Sequence, residues 1–468
     1  MIRLLRKSIG EYKIGLLVIR FLVYSLFTAL YSLIVALPFS IDLEPFEMIL
    51  DITSASLCTS SNSSSESYKP FILIGTAYSY PDEDEPSQGR VLVVECNSGE
   101  SGNLKSDSED EMVTRCVRHV TQMPTRGGVY SITPFYGGTV MITVNSKTHL
   151  CKLSLSDNEI GELKLVGAGH HGHMISLYCK SLAGARSAKG GSGSGKQLAI
   201  VGDLMRSLSL VEYLPKHQVI EELARDYNAN FCTSIEMLTD NIYLGSENFA
   251  NLFVLRHNAD APSEEARVRL DTIGEYHLGE MINTMKLGSL VMPTNAGRNS
   301  SAKSDTKSKS DKSAFEGNTI EVLVGSQTLF GTVDGTIGSI LGLGGSTFAF
   351  LGCLQRAIFA VVRPVGDLSH ERHRHYEADG RVRPSRGFID GDLIESFLDL
   401  NRPTMERIVK WMNDDGRWRI RDDGSGITGQ SQQNLMDTEE GDANYSPAQN
   451  NLSVEDVLTA VEEISMLH

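Results

Sequence analysis

Two histidine-rich stretches contain residue types that can bind a metal ion, HHGHM from His170 and HERHRHY from His370. Zinc sites usually combine histidine with cysteine or carboxylate ligands at a spacing that the scaffold sets. In both stretches most histidines are adjacent or two residues apart, and this spacing differs from that of common zinc sites. We therefore predict no metal site and no cofactor.

The acidic stretch IDGDLIE, from Ile389 to Glu395, contains carboxylates of the kind that bind calcium. It lacks the twelve-residue ligand pattern of a calcium loop. Its acids instead suit the positive N-terminus of a following helix. No Ser-His-Asp set, catalytic carboxylate pair or phosphate-binding loop stands out in the sequence, so we predict no catalytic residues and no enzyme activity.

The stretch LAIVGDLMRSLSLVEY, from Leu198 to Tyr213, contains an abrupt polar bend. The residues on both sides alternate as in β-strands, and Asp203–Arg206 interrupts them as a hairpin connection. Loops at strand ends often carry binding residues, because the strands hold them in place. An arginine beside apolar side chains can donate paired hydrogen bonds to a carboxylate, and the alternative is a solvated arginine in a turn.

The composition limits the classes of function. With 468 residues and 41% apolar side chains, the chain is long enough for two or three domains with a buried core. Its formal net charge of −16 argues against broad attraction to nucleic acid, although it allows a local basic patch. The seven cysteines include no C-x-x-C pair, which indicates reduced, buried thiols.

Residues 1–40 form a hydrophobic N-terminal segment. A basic start is followed by two apolar runs, Ile14–Ile19 and Phe21–Leu37, which Arg20 separates. Residues 14–37 are thus typical of a signal anchor or a short membrane span. The alternatives are a buried helix and a stretch that is not native to the protein.

Residues 41–365 repeat one theme, a short β-type run, a turn, and a second run rich in Val, Ile, Leu and Tyr. Gly202 and Gly245, in two successive repeats, lie 43 residues apart, which is the length of one propeller blade. Gly- and Ser-rich tracts lengthen the other repeats and are expected to be solvated loops. We predict an all-β propeller, incomplete with about five blade-like units, and a pair of β-sandwiches is the alternative.

Residues 366–468 have the pattern of a small α-helical C-terminal domain. Apolar residues recur at helical spacing between Leu393 and Met412, and Pro403 falls in the first turn of the second of two helices. Residues 413–451 form an acidic linker. Ser453 and Asp456 form a capping-box pattern, which predicts the start of a final helix.

Six motifs follow one another between residues 71 and 468. They are GTAYSYPDEDEPSQGRVLVVE, VGDLMRSLSLVEY, ELARDYNANF, LGSENFANLFV, LFGTVDGTIGSI and GFIDGDLIESFL. In this order they resemble the C-terminal part of the DNA damage-binding protein 1 family, which is related to the large subunit of the cleavage and polyadenylation specificity factor. The resemblance implies the third propeller and the helical domain of a three-propeller scaffold.

The resemblance also implies a function. Family members are adaptors that present substrate-receptor proteins to a cullin-RING ubiquitin ligase, and the rim of the third propeller receives receptor helices. The positions of this chain that match the receptor surface are Ala77, Tyr130, Leu177, Leu204, Arg206, Arg225, Phe231, Asn248, Asn283 and Val333. The middle propeller, which docks the cullin, and the opening blades of the third propeller have no counterpart here.

Two departures from the family pattern bear on partner choice. Phe231 stands where the family usually has tryptophan, which keeps an aromatic anchor but loses an indole donor. HHGHM from His170 stands where the family has small polar residues. Because of this second departure, the local receptor preference is expected to differ.

The expected role is therefore a non-enzymatic adaptor of the nucleus and cytoplasm in the DNA damage response, with only indirect contact to nucleic acid. It would be a membrane-anchored protein if residues 14–37 are a genuine anchor. One functional alternative is an RNA-processing propeller subunit, against which the acidic charge counts. Another is a propeller enzyme or membrane-anchored lectin, for which no catalytic set is evident.

Overall fold

A computed structural model describes residues 43–58, 68–98, 115–155, 161–182, 196–289, 327–364, 366, 368–416 and 451–466. The predicted N-terminal segment, including residues 14–37, and most of the predicted acidic linker lie outside these residues. Within the described ranges, no helix has the length and apolar character needed to cross a membrane.

The described strands form five antiparallel units, which we number blades 1 to 5 in chain order. Blade 1 contains β1 (Glu47–Cys58), β2 (Tyr68–Tyr78), β3 (Gly89–Ser98) and β4 (Arg115–Thr125). Blade 2 contains β5 (Val129–Phe135), β6 (Thr139–Val144), β7 (Lys147–Leu155) and β8 (Gly161–His171). Blade 3 contains β9 (Ser176–Lys180), β10 (Gln197–Asp203), β11 (Leu208–Leu214) and β12 (Val219–Arg225). Blade 4 contains β13 (Cys232–Met237), β14 (Ile242–Glu247), β15 (Asn251–His257) and β16 (Leu270–His277), and blade 5 contains β17 (Ile282–Leu287), β18 (Thr328–Thr332) and β19 (Ile337–Ile340).

A blade that lies between two others buries both faces of its strands, one face against each neighbouring blade. In β10, Leu198 and Ile200 belong to a core shared with blade 4, whereas Ala199 and Val201 belong to a core shared with blade 2. Successive side chains of a strand point to opposite faces. A strand between two blades therefore needs apolar residues at every position, which explains the continuous run LAIV.

The first strand of each blade packs against the first strand of the next, so β1, β5, β9, β13 and β17 form an inner layer. Polar groups connect these strands. The backbone N–H of Ile132 in β5 donates to the carboxylate of Asp51 in β1 at 2.6 Å. Lys180 Nζ in β9 lies 3.6 Å from Glu236 Oε2 in β13. This radial stacking of antiparallel units is that of a propeller, and it confirms the predicted fold.

Blades 2 and 3 are also joined at their outer strands. β8 and β12 run parallel where Ala168 lies opposite Val219, and the Ala168 N–H donates to the carbonyl of Gln218 at 2.9 Å. Gly167 has φ of +65°, and a Cβ atom at this position would overlap the Gln218 carbonyl. Only glycine fits where the two blades approach this closely.

The helical region begins earlier than the predicted residue 366. It contains α2 (Gly345–Val361), α3 (His370–His373), the hairpin β20 (Tyr376–Ala378) and β21 (Arg381–Arg383), α4 (Gly391–Glu395) with a 3-10 helix (Ser396–Asp399), α5 (Arg402–Asp415) and α6 (Val454–Ser465). A short helix, α1 (Glu264–Arg267), lies in the β15–β16 connection. The sequence pattern missed α2, because a continuous apolar run does not distinguish a buried helix from a strand.

The helices pack around a core of their own, to which Phe350, Leu354, Phe397, Ile408 and Val461 contribute. The predicted capping signals are confirmed. Pro403 lies in the first turn of α5, and Ser453 and Asp456 form a reciprocal capping box at the start of α6.

Candidate functional site

All ten residues that the resemblance implies lie at one end of the blades, which we call the rim. In an antiparallel four-stranded blade, the start of the first strand, the turn between the second and third strands, and the end of the fourth strand share one end. Three residues lie near the start of a first strand, namely Tyr130, Leu177 and Asn283. The remaining seven lie at strand ends or in the loops of the same end, namely Ala77, Leu204, Arg206, Arg225, Phe231, Asn248 and Val333.

A β-bulge occurs at the same place, near the start of the first strand, in all five blades. The extra residues are Leu50, Tyr130, Leu177, Thr233 and Asn283. A bulge re-aims a side chain away from the regular pleat and is common next to functional sites. Three of the five bulged positions coincide with residues implied by the resemblance, so the fold presents them in equivalent ways.

The turn after β10 is built on the carboxylate of Asp203, which is 1% exposed. Its Oδ1 atom accepts hydrogen bonds from the N–H groups of Met205 at 2.9 Å and Arg206 at 3.1 Å. Its Oδ2 atom accepts from the N–H of Met174 at 2.6 Å, in the connection between blades 2 and 3. The acid in the bend thus organises two rim loops and leaves Arg206 exposed at their junction.

Arg206 and Arg225 converge on one backbone carbonyl, that of Gly172. Arg206 Nη1 donates to it at 3.1 Å and Arg225 Nη2 at 3.0 Å. Arg225 also donates to Glu222 at 2.6 Å. The two guanidinium groups keep further N–H donors, which suit a partner's carboxylate or the last carbonyls of a partner's helix.

Two histidines lie beneath these arginines. His173 is 7% exposed, and neither of its ring nitrogens has a hydrogen-bond partner within the described structure. Burial, together with His170, Arg225 and Arg206 nearby, lowers the pKa of His173 to about 3. The ring is therefore neutral at physiological pH and supports the loop by packing. Among the described residues, no group of three or more His, Cys, Asp or Glu side chains is placed to hold a metal ion.

The ten residues differ in how accessible they are. Ala77 is 0% exposed, and its methyl group lies under Gly128. It is therefore buried below the rim in this structure, and its contact with a partner stays a prediction. Arg206, Asn248, Asn283 and Val333 are exposed, whereas the others are half-buried.

In the rim loops of blades 3 to 5, five large apolar side chains that the sequence pattern did not indicate are exposed. They are Met174, Met205, Tyr227, Phe249 and Met281, with exposures between 36% and 67%. Together with Val333 we call them the apolar rim residues. Apolar side chains gathered in loops are typical of an interaction surface. The sequence signal that could have identified them is a large apolar residue within a turn, since turns usually carry small or polar residues.

The acidic stretch before α4 has a structural role. Asp390 caps the helix through the N–H of Leu393, as the sequence predicted. Its other oxygen accepts from His370 Nε2 at 2.6 Å and from Arg374 Nε at 2.9 Å. One of the histidines considered as a metal ligand is thus committed to this ion-pair cluster.

Comparison with known proteins gives a consistent result. Residues 30–399 match the protein family described as CPSF A subunit region. The chain is 38% identical over 342 residues to DNA damage-binding protein 1 of Oryza sativa subsp. japonica, which covers 73% of this chain and 26% of that protein. It is 37% identical over 371 residues to DNA damage-binding protein 1a of Arabidopsis thaliana, which covers 79% of this chain and 28% of that protein.

The chain therefore spans about a quarter of the length of these relatives. The family match itself extends from residue 30 to residue 399, across the five blades and into the helical region. The chain thus belongs to the CPSF A subunit region family, and within it is similar to the C-terminal part of DNA damage-binding protein 1.

Proposed function

We propose that this chain is a non-enzymatic scaffold that binds helical segments of partner proteins on its rim. The observation that carries the proposal is the convergence, at one end of the blades, of the apolar rim residues with Arg206 and Arg225. Interfaces are enriched in methionine, aromatic residues and arginine at the centre, and this rim has that composition.

An amphipathic helix fits this chemistry well. Its apolar face would cover Met174, Met205 and Tyr227 and remove their side chains from water. A carboxylate beside that face, or the carbonyls at its C-terminal end, would accept hydrogen bonds from Arg206 and Arg225. Because the rim loops are held by buried groups such as Asp203, little ordering of this chain would oppose binding.

By family resemblance, the partners would be substrate receptors of a cullin-RING ubiquitin ligase in the nucleus and cytoplasm. The relatives are named for DNA damage binding, which supports a role in the damage response over one in RNA processing. A cullin would be reached through a middle propeller, which lies outside the span of this chain. The net charge of −16 favours indirect rather than direct contact with nucleic acid.

The substitution Tyr227→Asp tests the apolar part of the rim. Tyr227 is 67% exposed, so the fold should tolerate the change. A buried charge at the interface should weaken the capture of partner proteins about tenfold. The measurement is quantitative affinity capture from extract of the protein's own cells.

Leu165→Asp is the matched control for that experiment. Leu165 is 53% exposed on β8, away from the rim, and its replacement should leave capture unchanged. Equal capture by both variants would count against the rim as the binding surface.

A further inference from the structure

The hairpin β20–β21 belongs to the helical region in sequence, yet it lies on the rim of blade 4. The side chain of Asn251, at the start of β15, donates to the carbonyl of Glu377 at 2.7 Å. The hydroxyl of Tyr376 donates to Asn230 Oδ1 at 3.2 Å, and Tyr376 is buried. We call this element, Tyr376–Arg383, the rim hairpin.

Hydrogen bonds connect the rim hairpin to the Arg206 turn through the loop between β12 and β13. Arg381 donates to Asn228 Oδ1 and to the carbonyl of Ala229, both at 3.3 Å. From the other side, the Ser207 hydroxyl donates to Asp226 at 2.6 Å, and the Ser207 N–H donates to the carbonyl of Asn230 at 3.1 Å. The same loop is therefore fixed from both directions, and Arg206 and Arg381 mark the two ends of one continuous surface.

The rim hairpin is anchored firmly but carries an exposed apolar side chain. Arg383 Nη1 lies 2.8 Å from Glu275 Oε1, and Arg386 Nε lies 3.0 Å from Glu275 Oε2. Glu275 is 4% exposed, and the two partly exposed arginines cover its carboxylate. Val382, between these anchors and the turn, is 66% exposed. Tyr227, next to the Asn228 that Arg381 contacts, is 67% exposed.

We propose that the rim hairpin forms a second wall of the partner-binding surface and that Val382 contacts the partner. The occupant is an amphipathic α-helix with a carboxylate beside its apolar face. Its carboxylate lies over Arg206 and Arg225, and its apolar face crosses Tyr227 and reaches Val382. This inference rests on the proposed function, because it extends the surface that the proposed function assigns to the rim.

The arrangement has a consequence for how the two parts of the chain cooperate. A partner that contacts both blade 3 and the rim hairpin binds only when the helical region is docked on the propeller. Binding therefore stabilises that docking by mass action. The helical region then contributes to partner choice as well as to the stability of the chain.

The test combines one substitution with crosslinking from two positions in the full chain. Val382→Asp should lower the capture of rim-dependent proteins, defined as those lost with Arg206→Glu, about tenfold. p-Benzoylphenylalanine is introduced as the crosslinking probe at position 205 in one variant and at position 382 in another. Both variants should crosslink to the same partner protein on illumination.

The outcomes separate this inference from the proposed function. If Arg206→Glu loses its partners but Val382→Asp captures them as well as Leu165→Asp does, the rim hairpin lies outside the binding surface. A crosslink from position 205 without one from position 382 would overturn the inference in the same way. If Arg206→Glu loses no partner, the proposed function itself fails. Circular dichroism of each variant shows whether the fold is retained.

Discussion

Replacing Arg206 and Arg225 together with glutamate is expected to weaken the capture of partner proteins about a hundredfold. Each substitution removes the N–H donors that would meet the partner's carboxylate and puts a like charge in their place. A hundredfold loss corresponds to about 2.7 kcal/mol, which is typical of a charge pair at the centre of an interface. Affinity capture followed by titration with the recovered partner measures the effect.

Two controls keep this result interpretable. The double variant Lys152→Glu/Lys216→Glu changes the net charge by the same amount. It places the new acids on an exposed position of β7 and in the β11–β12 turn, away from the rim loops. Arg206→Glu alone leaves the hydrogen bond from Arg225 to the Gly172 carbonyl in place and avoids the repulsion that Arg225→Glu would create beside Glu222. If the control variant loses partners as strongly as the rim variant, net charge rather than the rim decides binding.

Replacing Asp390 with asparagine is expected to destabilise the helical region by about 3 kcal/mol at neutral pH. The carboxylate is 5% exposed and neutralises Arg374, whose Nη2 lies 2.8 Å away. Removing one partner of a buried ion pair leaves the other charge uncompensated. Urea unfolding followed by tryptophan fluorescence measures the change, because Trp411 lies in α5 of the helical region.

The pH dependence of this effect has a defined sign. Burial alone would raise the pKa of Asp390, but the hydrogen bond from His370 and the charge of Arg374 outweigh burial and hold the pKa well below its usual value. The stabilisation is fully present above the pKa of an unfolded aspartate, about 3.9, and is lost as the pH falls below it. The difference in unfolding free energy between wild type and Asp390→Asn should therefore shrink between pH 5 and pH 3.

Asp379→Asn is the matched control, because Asp379 is exposed in the turn of the rim hairpin. Its replacement should change the unfolding free energy by less than about 0.5 kcal/mol. A constant difference for Asp390→Asn across this pH range would contradict the assigned role of the ion pair.

Much of the fold could be predicted from the sequence, because blade strands have a strong local signal. Strands such as LAIVG and VLVVE are short, contain β-branched residues and are bounded by turn residues. The helix Gly345–Val361 could not be recognised in this way. It is buried within the helical core, so it lacks the polar face that gives an exposed helix its periodicity.

The site was less predictable than the fold. Family resemblance implied Arg206 and Arg225, but only the tertiary structure shows that both donate to the carbonyl of Gly172. Every residue has a backbone carbonyl, so the sequence does not indicate which carbonyl accepts a hydrogen bond. Ala77 matched a receptor-contacting position, yet it is fully buried in this arrangement.

The apolar rim residues could not be predicted from the sequence either. Met205 and Phe249 lie in turns between strands, where a pattern based on strand periodicity assigns no role to apolar residues. Their common location on the rim depends on the stacking of the blades, which the sequence pattern does not show.

Hydrogen exchange of the full chain, alone and with the partner recovered by capture, tests the central claim most directly. We predict slower exchange on binding in the rim loops, at residues 172–176, 203–207 and 226–231, and in the rim hairpin. The turns at the opposite end of the blades, residues 214–218 and 238–241, should exchange unchanged. Protection of those opposite turns, with the rim loops unaffected, would contradict the account.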